Sequence, residues 1–194
     1  WFFGFGYFLT NLYWVTISLT FDKNFIYLIP IALLLIPSFL ALFYSLFTLL
    51  FYLYNPKNIL SAFFLFSFLF GLTEFLRGSI LTGFPWNLIV YSLSEKLNII
   101  SIISVIGTYS LNLISISFFA APALYICRKS KKEIFTCILL LLLPILFYTN
   151  GAIQKKEFLN SPVKENPFKI RVISSNISLD RFYQNIETEI VIKE

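Results

Sequence analysis

The chain has 194 residues, 58% of them hydrophobic, 20% aromatic and 13% charged, with a net charge of +5; a soluble domain carries roughly 25% charged residues, so water is the wrong solvent for most of this sequence. With two cysteines and no histidine, these residues cannot build a Cys/His zinc site or a Ser-His or Cys-His catalytic pair. Nucleic acid is excluded as a partner, because the basic residues form one short cluster between apolar stretches (Arg128, Lys129, Lys131 and Lys132) and a scatter in the tail.

The apolar residues come in charge-free runs, from Ile26 to Tyr54, Ile99 to Cys127 and Ile134 to Ala152. Each meets the length of about 20 residues that a membrane-spanning helix needs. In chain order, five hydrophobic segments are expected. The first runs from about Trp1 to Phe21 and ends at Asp22, Lys23 and Asn24. The second, from about Phe25 to Tyr54, is long for one crossing. Pro30 and Pro37 in its first half predict a loop or half-helix, then a span from about Leu35 to Tyr52. Asn55-Pro56-Lys57-Asn58 is a turn. The third segment covers Ile59 to Leu76, and a polar, Gly/Pro-punctuated stretch follows from Arg77 to Asn98. The fourth covers Ile99 to Ile126 and the fifth Ile134 to Tyr148. Cys127 and Cys137 read as small buried hydrophobes. The chain starts at Trp1 and has no methionine, from which truncation at the front is expected; Phe2 to Leu9 lacks the charged leader and cleavage site of a signal peptide.

Lys and Arg in short loops set orientation. The loop from Arg128 to Lys132 holds four positive residues and the turn at Asn55 holds Lys57. Both are therefore expected to be cytoplasmic, and the tail after the fifth span exported. Residues 1–153 thus read as a multi-span transmembrane domain. Residues 154–167, polar and bearing Pro162 and Pro167, read as a linker. From Phe168 to Ile173 apolar and basic residues alternate, a strand signal. Ser174-Ser175-Asn176 is a turn, and helical spacing follows from Arg181. Residues 168–194 are therefore expected to open a mixed α/β domain, truncated at the end of the chain.

Chemistry-bearing residues cluster after the third span. Glu74 and Arg77 lie three apart on one helix face. Read plainly, they are a mutual pair at the interface, with Arg77 snorkelling to head groups; read functionally, they line a cavity at one leaflet. Gly83-Phe84-Pro85-Trp86-Asn87 is either a turn with an aromatic-belt anchor or part of that site. Gly4-x-Gly6 with Trp14 reads as helix-packing glycines plus a belt tryptophan, and Gly107, Thr108, Ser110 and Asn112 read as helix-contact residues.

The joint order of these motifs resembles apolipoprotein N-acyltransferase of bacterial envelopes. The resemblance begins at Trp1-Phe2-Phe3-Gly4-Phe5-Gly6 with Trp14-Val15. It is strongest over Glu74-Phe75-Leu76-Arg77-Gly78, Thr82-Gly83-Phe84-Pro85-Trp86 and Tyr91-Ser92. It continues through Gly107-Thr108-Tyr109-Ser110-Leu111-Asn112 into Ile170-Arg171-Val172-Ile173. Val90 stands where the family often has glycine, and Ser174-Ser175-Asn176-Ile177 replaces a Gln-Gly-Asn-Ile type of turn.

The resemblance implies an α-helical multi-span membrane domain followed by the first strand and helix of a nitrilase-like α/β domain, as a fragment of a multi-pass protein of the bacterial inner membrane with its C-terminal domain on the periplasmic face. It implies transfer of a phospholipid acyl chain to the α-amino group of a diacylglyceryl-cysteine lipoprotein, in lipoprotein maturation. The family uses a nitrilase-like Cys nucleophile, a Glu base and a Lys that stabilises the oxyanion, by way of a thioester. That triad is expected downstream of residue 194, so no catalytic residue is assigned in this chain, which is expected to be inactive alone; two early spans and a final one are expected outside it as well. No metal or cofactor is implied; the partners are the phospholipid donor, the lipoprotein acceptor and bilayer lipids. Glu74, Arg77, Phe84, Pro85, Trp86 and Tyr91 are the candidates for a lipid and substrate groove. The rival readings are a transporter or channel, against which stand the lack of an internal repeat and charges near span ends, and a membrane anchor for another nitrilase-like amidase.

Overall fold

A computed structural model describes residues 1–81, 83–162 and 171. All regular structure among the described residues is helical. Helix α1 covers Phe2–Leu12 and passes into 3₁₀ turns over Tyr13–Thr20 and Lys23–Leu28. The long helices are α2 (Ile29–Tyr54), α3 (Ile59–Ser79), α6 (Thr108–Ile126) and α7 (Lys131–Asn160). Between α3 and α6 lie a 3₁₀ turn at Ile89–Leu93 and two single-turn helices, α4 (Leu97–Ile100) and α5 (Ile103–Ile106). Among the described residues, four segments are long and apolar enough to cross a membrane: Lys23–Tyr54, Ile59–Ser79, Thr108–Ile126 and Lys131–Asn160.

Two of the long helices, α3 and α7, start at a side chain that satisfies a free N–H group. Asn58 accepts from the Leu60 N–H at 2.8 Å to open α3. Ser130 and Glu133 form a reciprocal capping box at the start of α7. Such caps stabilise a helix by about 1 kcal/mol. Asn55, in the left-handed conformation at φ 37°, stops α2. Consecutive long helices pack side by side, α2 on α3, α3 on α6 and α6 on α7, with α1 against α2. In the most apolar windows of α3 and α6, 28% and 33% of residues are buried, against 17% for α2 and α7. So α3 and α6 form the centre, and α2 and α7 turn their Leu and Phe side chains outward, as a helix in lipid does.

Four of the expected segments depart from expectation, each with a physical cause. The second segment has no loop at its start; α2 is continuous from Ile29, because Pro30 sits in its first turn, where a missing N–H costs nothing. The first segment is no single span, since α1 ends at Leu12 and the chain tightens into 3₁₀ turns. The fourth is broken at Gly107, whose φ of 80° ends α5 and leaves α6 to start at Thr108. The expected linker from residue 154 is helical up to Asn160: Gln154, Lys155, Lys156 and Glu157 are polar but strong helix formers. At 30 residues, α7 is about 45 Å long, against a hydrocarbon core of about 30 Å, so its polar ends reach past the apolar layer. Of the two cysteines, Cys137 is buried as expected, whereas Cys127 is exposed. The expected strand, turn and helix over residues 168–194 lie outside the described residues, apart from Arg171.

The helix order places the end of α3, the start of α6 and the end of α7 at one end of the bundle. The segment between α3 and α6 lies there, and α4 seats against α7. That contact is so close that a Cβ on Gly151 would stand 2.0 Å from the Asn98 carbonyl oxygen; only glycine fits.

Candidate functional site

Glu74 and Arg77 lie in the last turns of α3, and both are buried, at 0% and 1% exposure. Interface snorkelling is thereby ruled out for Arg77. Its Nη2 is 3.6 Å from Glu74 Oε1. Its Nη1 donates to the backbone carbonyls of Phe84 at 2.7 Å and Trp86 at 2.8 Å. The Phe84 N–H returns a bond to the Arg77 carbonyl at 2.9 Å, and the Phe8 ring faces the guanidinium with its centroid 5.3 Å away. A guanidinium suits this task because its rigid fork presents several donors at fixed angles.

Glu74 is held from several elements. Tyr44 Oη of α2 donates to Oε1 at 3.4 Å, and Asn112 Nδ2 of α6 donates to Oε2. Asn112 Oδ1 accepts from the Val90 N–H at 2.9 Å. Tyr7 Oη of α1 donates to the Asn87 carbonyl at 3.2 Å. The loop after α3 is therefore fastened by its backbone at residues 84, 86, 87 and 90 to three helices, α1, α3 and α6. Gly83 makes the return possible: its φ is +72°, and a Cβ there would lie 2.5 Å from the Gly78 carbonyl oxygen, a backbone path closed to other residues.

With its backbone held, the loop presents aromatic side chains. Trp86 is 52% exposed. Its ring is tilted against Trp14 with centroids 5.1 Å apart, and Phe84 stacks at 6.2 Å. Trp14, Val15, Ile17, Ser18, Phe21, Phe84 and Trp86 line an apolar groove of about 470 Å³. Pro85, Trp86, Asn87 and Tyr91 line a neighbouring depression of about 260 Å³. Of the expected groove residues, Phe84, Pro85, Trp86 and Tyr91 come together on this surface. Glu74 and Arg77 line neither hollow and lie beneath the loop. Trp14, read as a belt residue, is a groove wall. Tyr7 and Tyr44 went unnoticed in the sequence, where no local pattern ties them to the Asn87 carbonyl and the Glu74 carboxylate, both distant in the chain.

The class defined by this arrangement is a multi-span α-helical membrane protein in which a buried ion pair fastens an aromatic loop at one end of the bundle. The sequence model of the apolipoprotein N-acyltransferase N-terminal domain matches residues 1–121, and the chain belongs to that family. Among its relatives, the apolipoprotein N-acyltransferase of Rhodopseudomonas palustris is 42% identical over 130 residues, 65% of this chain and 24% of the relative. That of Brucella melitensis is 40% identical over 125 residues, 64% of this chain and 23% of the relative. That of Rickettsia prowazekii is 32% identical over 202 residues, 99% of this chain and 39% of the relative. The chain thus spans well under half the length of these curated relatives. No solved structure matches it.

Proposed function

We propose that this chain is the membrane part of an enzyme that moves an acyl chain from a phospholipid to the N-terminal amine of a diacylglyceryl-cysteine lipoprotein, in the bacterial inner membrane. In this reading, a cysteine thiolate in a downstream nitrilase-like domain attacks the phospholipid ester. The C–O bond breaks, the lysophospholipid leaves as the alcohol, and a thioester remains. The lipoprotein amine then attacks the thioester, forming the amide and returning the thiol. The role of this chain is to hold the apolar groove at Trp14, Phe84 and Trp86 where acyl chains reach that domain without leaving the bilayer; exposing them to water would cost about 0.8 kcal/mol per CH₂. The family match over residues 1–121 carries the reading, and favours it over a transporter or channel.

In the full-length protein, Trp86→Ala is expected to lower acyl transfer at least about tenfold, a barrier increase of about 1.4 kcal/mol, with abundance and membrane insertion unchanged. Transfer at the wild-type rate, at equal protein level, would remove the groove from the mechanism. The groove end of the bundle is assigned to the periplasmic face and the Arg128–Lys132 loop to the cytoplasm. A single cysteine at Ser130, with Cys127 and Cys137 changed to serine, is expected to resist an impermeant thiol reagent in intact cells and to react once the membrane is opened. Labelling in intact cells would invert the topology. The same cysteine-to-serine background should still form the thioester, since neither residue is placed in the chemistry.

A further inference from the structure

The end of the bundle away from the aromatic loop carries a second hollow with a different chemistry. Phe118, Phe119, Ala121, Pro122 and Tyr125 of α6 and Cys137 and Leu141 of α7 line an apolar groove of about 390 Å³. It faces outward: Tyr125 and Phe119 are each 49% exposed and Leu141 56%. In a helix pair that spans a membrane, this is a surface for lipid. Pro122 has no N–H to donate, so α6 lacks a backbone bond in the wall of the groove.

A basic cluster stands at its mouth. Arg128 follows α6, and its guanidinium lies 3.9 Å from the centroid of the Tyr125 ring, a wall of the groove. Its Nη1 also donates to the Tyr125 carbonyl at 2.6 Å. These contacts hold the cation at the groove rather than free in the loop. Lys129, Lys131 and Lys132 are exposed beside it. The acid of this loop, Glu133, is committed to the Ser130 backbone N–H and hydroxyl at 2.6 Å each, and is 5% exposed. With four cations against this one carboxylate, the mouth presents a net positive charge beside an apolar cleft.

We infer that this groove binds an anionic glycerophospholipid. Its phosphate would sit against Arg128 and the neighbouring lysines, and one acyl chain along Pro122, Cys137 and Leu141. Charge complementarity selects the occupant. A zwitterionic lipid gains less from a four-cation mouth, and an apolar helix from another protein would leave those cations without partners. Basic pockets between membrane helices bind anionic head groups in this way, at about 1 kcal/mol per basic side chain. The inference rests on the helices crossing a bilayer and not on the acyl-transfer reading, because the groove lies at the opposite end from Trp86.

The test is native mass spectrometry of the full-length protein released from micelles of phosphatidylethanolamine and phosphatidylglycerol. Arg128→Gln leaves three lysines to hold the topology and is expected to reduce retained phosphatidylglycerol about fivefold, the factor for one basic side chain at an anionic surface. Leu141→Trp fills the cleft with every charge in place and should give a similar loss. Phosphatidylethanolamine retention and acyl-transfer activity should stay at wild-type level in both, which separates this site from the proposed donor groove. Because Arg128 is exposed, that variant folds whatever the groove does. Wild-type phosphatidylglycerol retention in either folded variant would overturn the site, and so would an equal loss of both lipids. A photoreactive residue in place of Phe119 should crosslink to lipid in native membranes; crosslinking to a second copy or to another segment of the chain would assign the groove to protein instead.

Discussion

Replacing Arg77 by alanine is expected to destabilise the membrane domain by about 3–5 kcal/mol, the range for removing one member of a buried ion pair. The magnitude follows from what is left behind. Glu74 keeps Tyr44 and Asn112 but loses its only counter-charge among the described contacts. The carbonyls of Phe84 and Trp86 lose a common donor. Thermal unfolding in a mild detergent, followed by near-UV circular dichroism, reads the loss, and limited proteolysis after Phe84 reads release of the loop. Two further variants separate charge from geometry. Arg77→Lys keeps the charge, but a single ammonium cannot reproduce the fork that holds two carbonyls, so stability should recover partly while the loop stays cleavable. In Glu74→Leu/Arg77→Leu no buried charge remains, which can be neutral for stability, yet the loop again lacks its anchor. A double variant with a protease-resistant loop would show that neither the pair nor the clamp on the backbone is needed to hold Trp86 in place.

How much of this was legible in the sequence depends on the range over which each signal acts. The three charge-free runs located α2, α6 and α7, and the apolar segment from Ile59 to Leu76 located α3, because lipid demands a run of apolar residues and that demand is written locally. Helix limits were less legible. Of the two prolines read as breakers in the second segment, Pro30 proved an initiator and Pro37 lies within α2, and polarity read as a linker from residue 154 proved to be helix up to Asn160. In both cases the residue type was right and its position within the helix decided its effect. The Glu74–Arg77 pair was visible from its spacing, but its burial was not, since a charged pair near a span end has the same sequence whether it meets head groups or protein. What buries it comes from Phe8, Tyr44 and Asn112, each on a different helix. No periodicity relates them, so the contacts could only emerge from helix packing. The exposed half of the site was more legible: Gly83, Pro85 and Trp86 sit within a few residues of one another, and a tight turn with a large aromatic is a local signal.

Asn112 joins the two halves, and its replacement by leucine is expected to cost about 2–4 kcal/mol, the loss of a bond to a charged group plus a buried N–H left without a partner. The side chain is fully buried on α6. Its amide nitrogen donates to Glu74 on α3, and its oxygen accepts from the Val90 N–H in the connecting segment. Leucine has the same branched shape and the same number of side-chain heavy atoms, so no cavity complicates the measurement. Neutral hydrogen bonds between membrane helices contribute only about 0.6–2 kcal/mol; a larger loss here would show that the charge on Glu74 and the stranded Val90 N–H dominate. Ser115→Ala, one turn along the same helix, is the matched control. Its buried hydroxyl bonds only to the Leu111 carbonyl of its own helix at 2.8 Å, so its effect should stay within about 0.5 kcal/mol. Combining Asn112→Leu with Arg77→Ala should cost less than the sum of the two, because both act through Glu74 and the same loop. Strict additivity in that cycle would mean that the two residues hold separate parts of the structure, and that α6 takes no part in positioning Trp86.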